Sequence, residues 1–424
     1  MKIIINTFGT RGDVQPYIAL ARGLGQAGHS VRILTHQIFE HFVRDYDLDF
    51  YPLDLDPREV MVNQALSELG NNTIRITGWM KENFKPVLRE IFEITQTASQ
   101  DAELMLNSGL SFAGWHISEK MGIPSLAAFL WPMTPSRHFL GAVGKTPPKW
   151  LPFRGLVNYY TTKLFNQLFY NLMLPSVNEC RVEVLGIRPM KACEYWVLDS
   201  PQSPTPIIYG YSSIVVPKPS DWSNNQQISG YWFLNTAKGY TPEKKLLEFL
   251  EKGEPPVYIG FGSLVEHNQA QIQQIVIDAL RKNNRRGILQ SGWSGFGSQN
   301  LPDSVLLIDA TPHDWLFPRM AAVVHHGGAG TTATGLRAGV PNVIVPAFGD
   351  QFFWGRRVQE LGVGPGPIPR KKLTADKLAH AIHQAVTEKI IRDNAHRICR
   401  QIRGENVVEN AVEMIEGFVR DGHL

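Results

Sequence analysis

Apolar residues fall in short solid blocks, and the stretches between them carry apolar positions three and four apart. IIIN at 3–6 precedes a helical pattern over 17–27 that Gly28 closes, followed by SVRIL at 30–34 and a helical stretch from Gln37. LMLNS at 104–108 is another strand, 113–121 another helix, and SLAAFLW the strand after it. Solidly apolar strands alternating with amphipathic helices predict an α/β chain with a parallel sheet covered on both faces. The second half repeats the theme: PPVYIGFGS at 255–263, a helix over 269–281, then GILQS, SVLLID, AAVVHHGG and PNVIVPAF as strands. Two Rossmann-like halves are predicted. Between them VVPKPSDWSNNQQISGYWF at 215–233, rich in Pro, Ser and Asn, reads as a linker. The boundary is therefore expected near residue 225, giving domains 1–225 and 226–424. The amphipathic stretch 411–419 is free to pack back on the first.

Composition narrows the function. A chain of 424 residues fits two domains at about 100–200 residues each. A hydrophobic share of 43% and a charged share of 19% are those of a globular protein. A net charge of +3, with no basic run beyond Arg370-Lys371-Lys372, is too mild for a nucleic-acid partner. Cys180, Cys193 and Cys399 form no CxxC pair, which fits reduced thiols in a cytoplasmic protein. The apolar start is too short for a signal peptide, and no apolar run approaches the roughly 20 residues that span a bilayer. The expected protein is soluble or peripheral.

One segment stands apart chemically. Residues 120–178 contain no Asp or Glu, yet hold Lys120, Arg137, Lys145, Lys149, Arg154 and Lys163 among aromatics such as Phe129, Trp131, Phe139, Trp150 and Phe153. Cations interleaved with aromatics suit an anionic membrane surface or an apolar ligand near one. Aromatics at helical spacing equally suit a packed core.

Two stretches carry candidate chemistry. FGTRGDVQP at 8–16 follows the first strand as a glycine turn entering a helix, the usual setting for a phosphate, yet it carries Asp13. At such a position Asp13 is either a helix cap or a cleft-facing carboxylate. HHGGAGTTATGLRAGVPNVIVPAFGDQFFWGRRV at 325–358 is a strand, a turn of small residues and a helix expected to begin near Thr331. The amides of Ala329, Gly330 and Thr331, the hydroxyls of Thr331 and Thr332, and His326 would cradle a diphosphate. Asp350 and Gln351, at the end of the next strand, suit sugar hydroxyls. The His pair lacks the third ligand of a metal site, so no metal is expected.

These stretches resemble the family 1 glycosyltransferases of GT-B fold that use UDP-sugars. The detailed wording is similar to the sterol 3-beta-glucosyltransferase branch: HHGGAGTT, GLRAGVP, FGDQFFWG, GTRGDVQPYIALA at 9–21, SEKMGIPS at 118–125, KPSDW at 218–222, GYWFL at 230–234 and PPVYIGFGS. The resemblance implies two Rossmann-like domains facing a cleft. It implies UDP-glucose on the C-terminal domain, with His326 at the α-phosphate, Ala329, Gly330 and Thr331 at the diphosphate, and Ser263 reaching the phosphates. Asp350 and Gln351 would hold the glucose, and the main chain of His313 would pair with uracil. Plant members stack uracil on a Trp where this chain has Ala310, a part that would pass to Trp293. Asp13 becomes the base for an inverting transfer without cofactor or metal. The acceptor is expected to be lipophilic, most simply a sterol hydroxyl, lined by Trp131, Phe129, Phe139 and Trp150, with peripheral membrane contact. Polyketide, macrolide or flavonoid acceptors share the donor motif; a UDP-sugar epimerase or a non-catalytic binder fits the residues less well.

Overall fold

A computed structural model describes residues 1–56, 73–141, 147–148, 150–194, 205–236, 239–262, 269–291 and 301–422, with the backbone alone at 73–84 and 193. Ser263 and Trp293 lie outside the described residues.

In the first unit the chain runs β1 (Lys2–Asn6), α1 (Arg11–Gln26), β2 (Ser30–His36), α2 (Glu40–Arg44), β3 (Asp49–Leu53) and α3 (Thr73–Ala98). It continues through β4 (Leu104–Asn107), α4 (Phe112–Met121), β5 (Ser125–Phe129), α5 (Arg154–Glu183), β6 (Ile207–Tyr209) and β7 (Gln226–Ile228). The seven strands pair in the order β3-β2-β1-β4-β5-β6-β7, all parallel. The order reverses between β1 and β4, the point beyond whose carboxyl ends open α/β sheets bind ligands. Ile3, Ile4 and Ile5 are buried beside Leu104, Met105 and Leu106, so the apolar runs are paid for by a sheet covered on both faces.

The second unit comprises α6 (Lys244–Glu251), β8 (Val257–Gly260), α7 (Gln269–Lys282), β9 (Gly287–Gln290), β10 (Val305–Ile308), α8 (His313–Leu316) and β11 (Ala322–His325). After these come α9 (Ala329–Ala338), β12 (Asn342–Ile344), α10 (Gln351–Glu360), α11 (Ala375–Thr387) and α12 (Lys389–Arg403). Its five-stranded parallel sheet has the order β10-β9-β8-β11-β12. The last helix, α13 (Val407–Arg420), belongs to the first unit, where Val407 and Val408 approach Gly230 and Gly23.

Three expectations are corrected. The chain changes unit at Leu234 and Asn235, not near residue 225, because Gln226–Ile228 is the first sheet's seventh strand and Trp222 and Trp232 are buried. At the start of that stretch, Ile214–Pro217 sorts with the second unit. Helix α1 begins at Arg11 instead of 17, and α9 at Ala329 instead of Thr331. Cys180 and Cys399 are free and buried. No helix among the described residues is long and apolar enough to cross a membrane.

Candidate functional site

Asp13 is the third residue of α1, and its carboxylate turns back to cap it. Its Oδ2 accepts from the Thr10 amide at 2.8 Å and from the Thr10 hydroxyl at 3.0 Å. This is a capping arrangement of the Thr-x-x-acid type. Oδ1 makes no hydrogen bond among the described residues, so one oxygen caps while the other stays open. Burial pushes the Asp13 carboxyl up from its usual range, against the two Thr10 bonds that lower it.

A histidine that sequence reasoning passed over holds this loop. Gly9 donates its amide to His36 Nε2 at 3.0 Å, while His36 Nδ1 donates to the Leu55 carbonyl at 2.6 Å. The two partners fix the neutral Nδ1-protonated tautomer, and burial lowers the pKa in the same sense. Gly9 has φ +123°, and a Cβ there would come within 2.5 Å of Asp13 Oδ2. The turn therefore requires glycine. Register carried the missed signal: β2 pairs with β1 up to Leu34–Asn6, which leaves His36 beside the chain leaving β1.

In the second unit, His325 and His326 do different work. His325 is fully buried: its Nδ1 accepts from the Gly327 amide at 3.1 Å and its Nε2 donates to Asn342 Oδ1 at 3.0 Å. It pins the turn before α9, and burial drives its pKa down to about 3. His326, next along the chain, keeps a buried Nδ1 that has no hydrogen-bond partner among the described residues, and its ring lies between Gly262 and Gly328. A Cβ at Gly328 would stand 2.5 Å from Nε2. Burial lowers its pKa to about 4, so the ring is neutral at pH 7.

Gly328 occupies the cap position of α9 and brings no side-chain cap. The amides of Ala329, Gly330 and Thr331 find no acceptor among the described residues, since the first capping bond runs from Thr332 N to the Gly328 carbonyl at 2.9 Å. Those amides, with His326 Nε2 beside Gly328, form an anion cradle. The Thr332 hydroxyl, expected to donate to a ligand, instead donates to the Gly328 carbonyl at 2.9 Å. The Thr331 hydroxyl has no partner among the described residues. Two further side chains are partly committed. Gln351 Oε1 accepts from the amides of Ala347 and Phe348 at 2.8 and 3.3 Å, tying the loop before α10 and leaving Nε2 to donate. Asp350 Oδ2 accepts from Trp354 Nε1 at 3.0 Å. His313 turns its ring inward, stacked on Phe317 and 3.0 Å from Gln290 Oε1, which leaves only its main chain for a nucleobase. Among the described residues no cluster of three His, Cys, Asp or Glu side chains suits a metal ion.

The four expected acceptor residues differ in exposure. Phe129 is core, 2% exposed in β5 against Tyr209, which stacks on Trp222, which in turn meets Phe139 edge-on. Phe129 is therefore core rather than an acceptor contact, because its strand position points it into the sheet's covering layer. Trp131 is half-buried over Gly109, and Trp150 is exposed.

Two tests arise from this geometry. Gly335→Ala would set a Cβ 2.2 Å from Asn342 Oδ1, displacing the amide that holds His325. It is expected to cost about 1–3 kcal/mol by overpacking, read as a lower urea midpoint at unchanged slope; an unaltered midpoint would break the link. A diphosphate held in this cradle would bring negative charge to His326 and should raise its pKa from about 4 when UDP-glucose is added. Calorimetry at pH 5 in buffers of different ionisation enthalpy should then show proton uptake that vanishes in His326→Gln. Identical heats in every buffer would count against phosphate contact.

Comparison with known proteins agrees with this layout. Residues 3–140 match the glycosyltransferase family 28 N-terminal domain, and residues 288–416 match the erythromycin biosynthesis protein CIII-like C-terminal domain. The glycosyltransferase of kitacinnamycin superposes with a TM-score of 0.73 over 98% of both chains at 17% identity. The calicheamicin glycosyltransferase CalG4 gives 0.68 over 99% of this chain and 98% of its own, also at 17%. The fold is that of the GT-B glycosyltransferases. In sequence, the sterol 3-beta-glucosyltransferase UGT80B1 of Arabidopsis thaliana is 35% identical over 97% of this chain and 67% of its own length. A sterol 3-beta-glucosyltransferase of Neosartorya fischeri is 38% identical over 98% of this chain but 29% of its own length. The chain belongs to the sterol 3-beta-glucosyltransferase family, and spans about two thirds of the plant relative and under a third of the fungal one.

Proposed function

We propose that the protein transfers glucose from UDP-glucose to the 3-hydroxyl of a sterol, with inversion at the anomeric carbon. The observation that carries the reading is family membership along nearly the whole chain, with the donor motif intact. In this reading the amides of Ala329, Gly330 and Thr331 take the diphosphate, and His326 donates to the α-phosphate. Asp350 and Gln351 Nε2 hold the glucose hydroxyls, and Ser263, Trp293 and the His313 main chain complete the donor contacts.

An alcohol is a poor nucleophile at neutral pH, so transfer needs a base for its proton and stabilisation of the departing diphosphate. Asp13 Oδ1 supplies the base, and its raised pKa makes it a better acceptor than an exposed carboxylate. One displacement on an α-linked donor gives a β-glucoside without a covalent enzyme intermediate. The helix N-terminus and His326 meet the leaving charge, so no divalent metal takes part. A sterol resides in a bilayer, so peripheral membrane contact belongs to the same reading.

Purified protein given UDP-glucose, EDTA and a panel of sterols, flavonoids and macrolide aglycones tests it. Turnover confined to sterols and unchanged by EDTA is expected. Turnover of the other aglycones alone would move the acceptor to another class, and loss of turnover in EDTA would end the metal-free mechanism.

A further inference from the structure

The first four turns of α5 are inside out. With about 100° between successive residues, Asn158, Thr162 and Asn166 fall on one side and Leu156, Tyr160, Leu164 and Leu168 on the other. The polar side is the buried one, at 2%, 4% and 7% exposure. Its side chains hold the segment that leads to the helix. Asn158 Nδ2 donates to the Arg137 carbonyl, Asn166 Nδ2 donates to the Met133 carbonyl, and Thr162 Oγ1 accepts from the Gly141 amide, each at 3.2 Å. The apolar side faces solvent: Tyr160 is 61% exposed, Leu164 60% and Leu168 59%, with Phe153 at 78% just before the helix. A surface helix ordinarily shows the reverse. From Leu156 to Leu168 the stripe runs for about 18 Å at a rise of about 1.5 Å per residue, long enough to mark an interaction face.

Charge selects the partner. No acid occurs in 120–178, and the helix's two carboxylates, Glu179 and Glu183, sit in its final turns paired with Lys85 and Arg89. Arg137, Arg154 and Lys163 flank the stripe, while Asp221 is tied by Ser136 Oγ and the Arg137 amide. A second copy laid on this face would bring like cations together. A bilayer with anionic headgroups satisfies both the apolar stripe and its basic margin.

We infer that the exposed face of α5 from Phe153 to Leu168 lies on a bilayer containing anionic lipid, and that the protein draws its acceptor from that surface. The second clause rests on the sterol reading; the first does not. The test is sedimentation with phosphatidylcholine vesicles with and without phosphatidylglycerol, on wild type and the Leu164→Gln/Leu168→Gln double variant. Wild type should co-sediment with the anionic vesicles, less so at high salt. The variant should lose binding by about tenfold or more while its melting curve and its turnover of detergent-dispersed sterol stay unchanged. Equal vesicle binding by the two proteins would overturn the inference, as would a dimer abolished by the same substitutions without any vesicle binding. Vesicle binding by a protein that turns over no sterol would keep the docking face and remove the acceptor assignment.

Discussion

Asp13→Asn is expected to lower kcat by about 10²–10⁴-fold, the range for loss of a general base, with UDP-glucose affinity nearly unchanged. The substitution isolates chemistry from structure. Asparagine keeps a side-chain oxygen that can accept from Thr10, so the cap on α1 survives and the melting temperature should hold. A drop in kcat with an intact melt would place the defect in proton transfer. Activity near wild type would assign Asp13 to capping alone, the role its Oδ2 already performs.

His326→Ala should weaken UDP-glucose binding by about tenfold or more, as expected when a hydrogen bond to a charged group worth about 1.5–3 kcal/mol is removed. The ring is neutral in the free protein, so what it offers before binding is a neutral imidazole rather than a standing positive charge. Fluorescence or calorimetric titration measures the loss. The fold should tolerate the change, because His325 and not His326 pins the turn through Gly327 and Asn342. An affinity equal to wild type would remove His326 from the donor site and leave the amides of α9 as the whole cradle.

Much of the scaffold was legible in the sequence because buried parallel strands read as solid apolar runs; every strand named from those runs is present. The polar strand Gln226–Ile228 carried no such signal, which is why the boundary was set too early. Helix starts were misjudged where the first turn is polar, as at Arg11, or made of small residues, as at Ala329. The donor cradle was readable because its parts lie within one contiguous motif. The division of labour between His325 and His326 was not, since it depends on Asn342 arriving from a neighbouring strand. His36 stayed hidden for the same reason: its partners Gly9 and Leu55 meet it only through strand register. Aromatic density in 120–178 left core and surface both open, and both occur. Tyr170 and Met173 are packed inside, whereas Tyr160 and Leu164 of the same helix face solvent.

The most direct measurement is the product formed by purified protein from UDP-glucose and a 3β-hydroxysterol, with its linkage read from the anomeric proton by NMR. A steryl 3-β-glucoside, formed by wild type and sharply reduced in Asp13→Asn, is the expected result. An α-linked product, or UDP-glucose hydrolysis with no steryl glucoside at all, would contradict inverting transfer to a sterol.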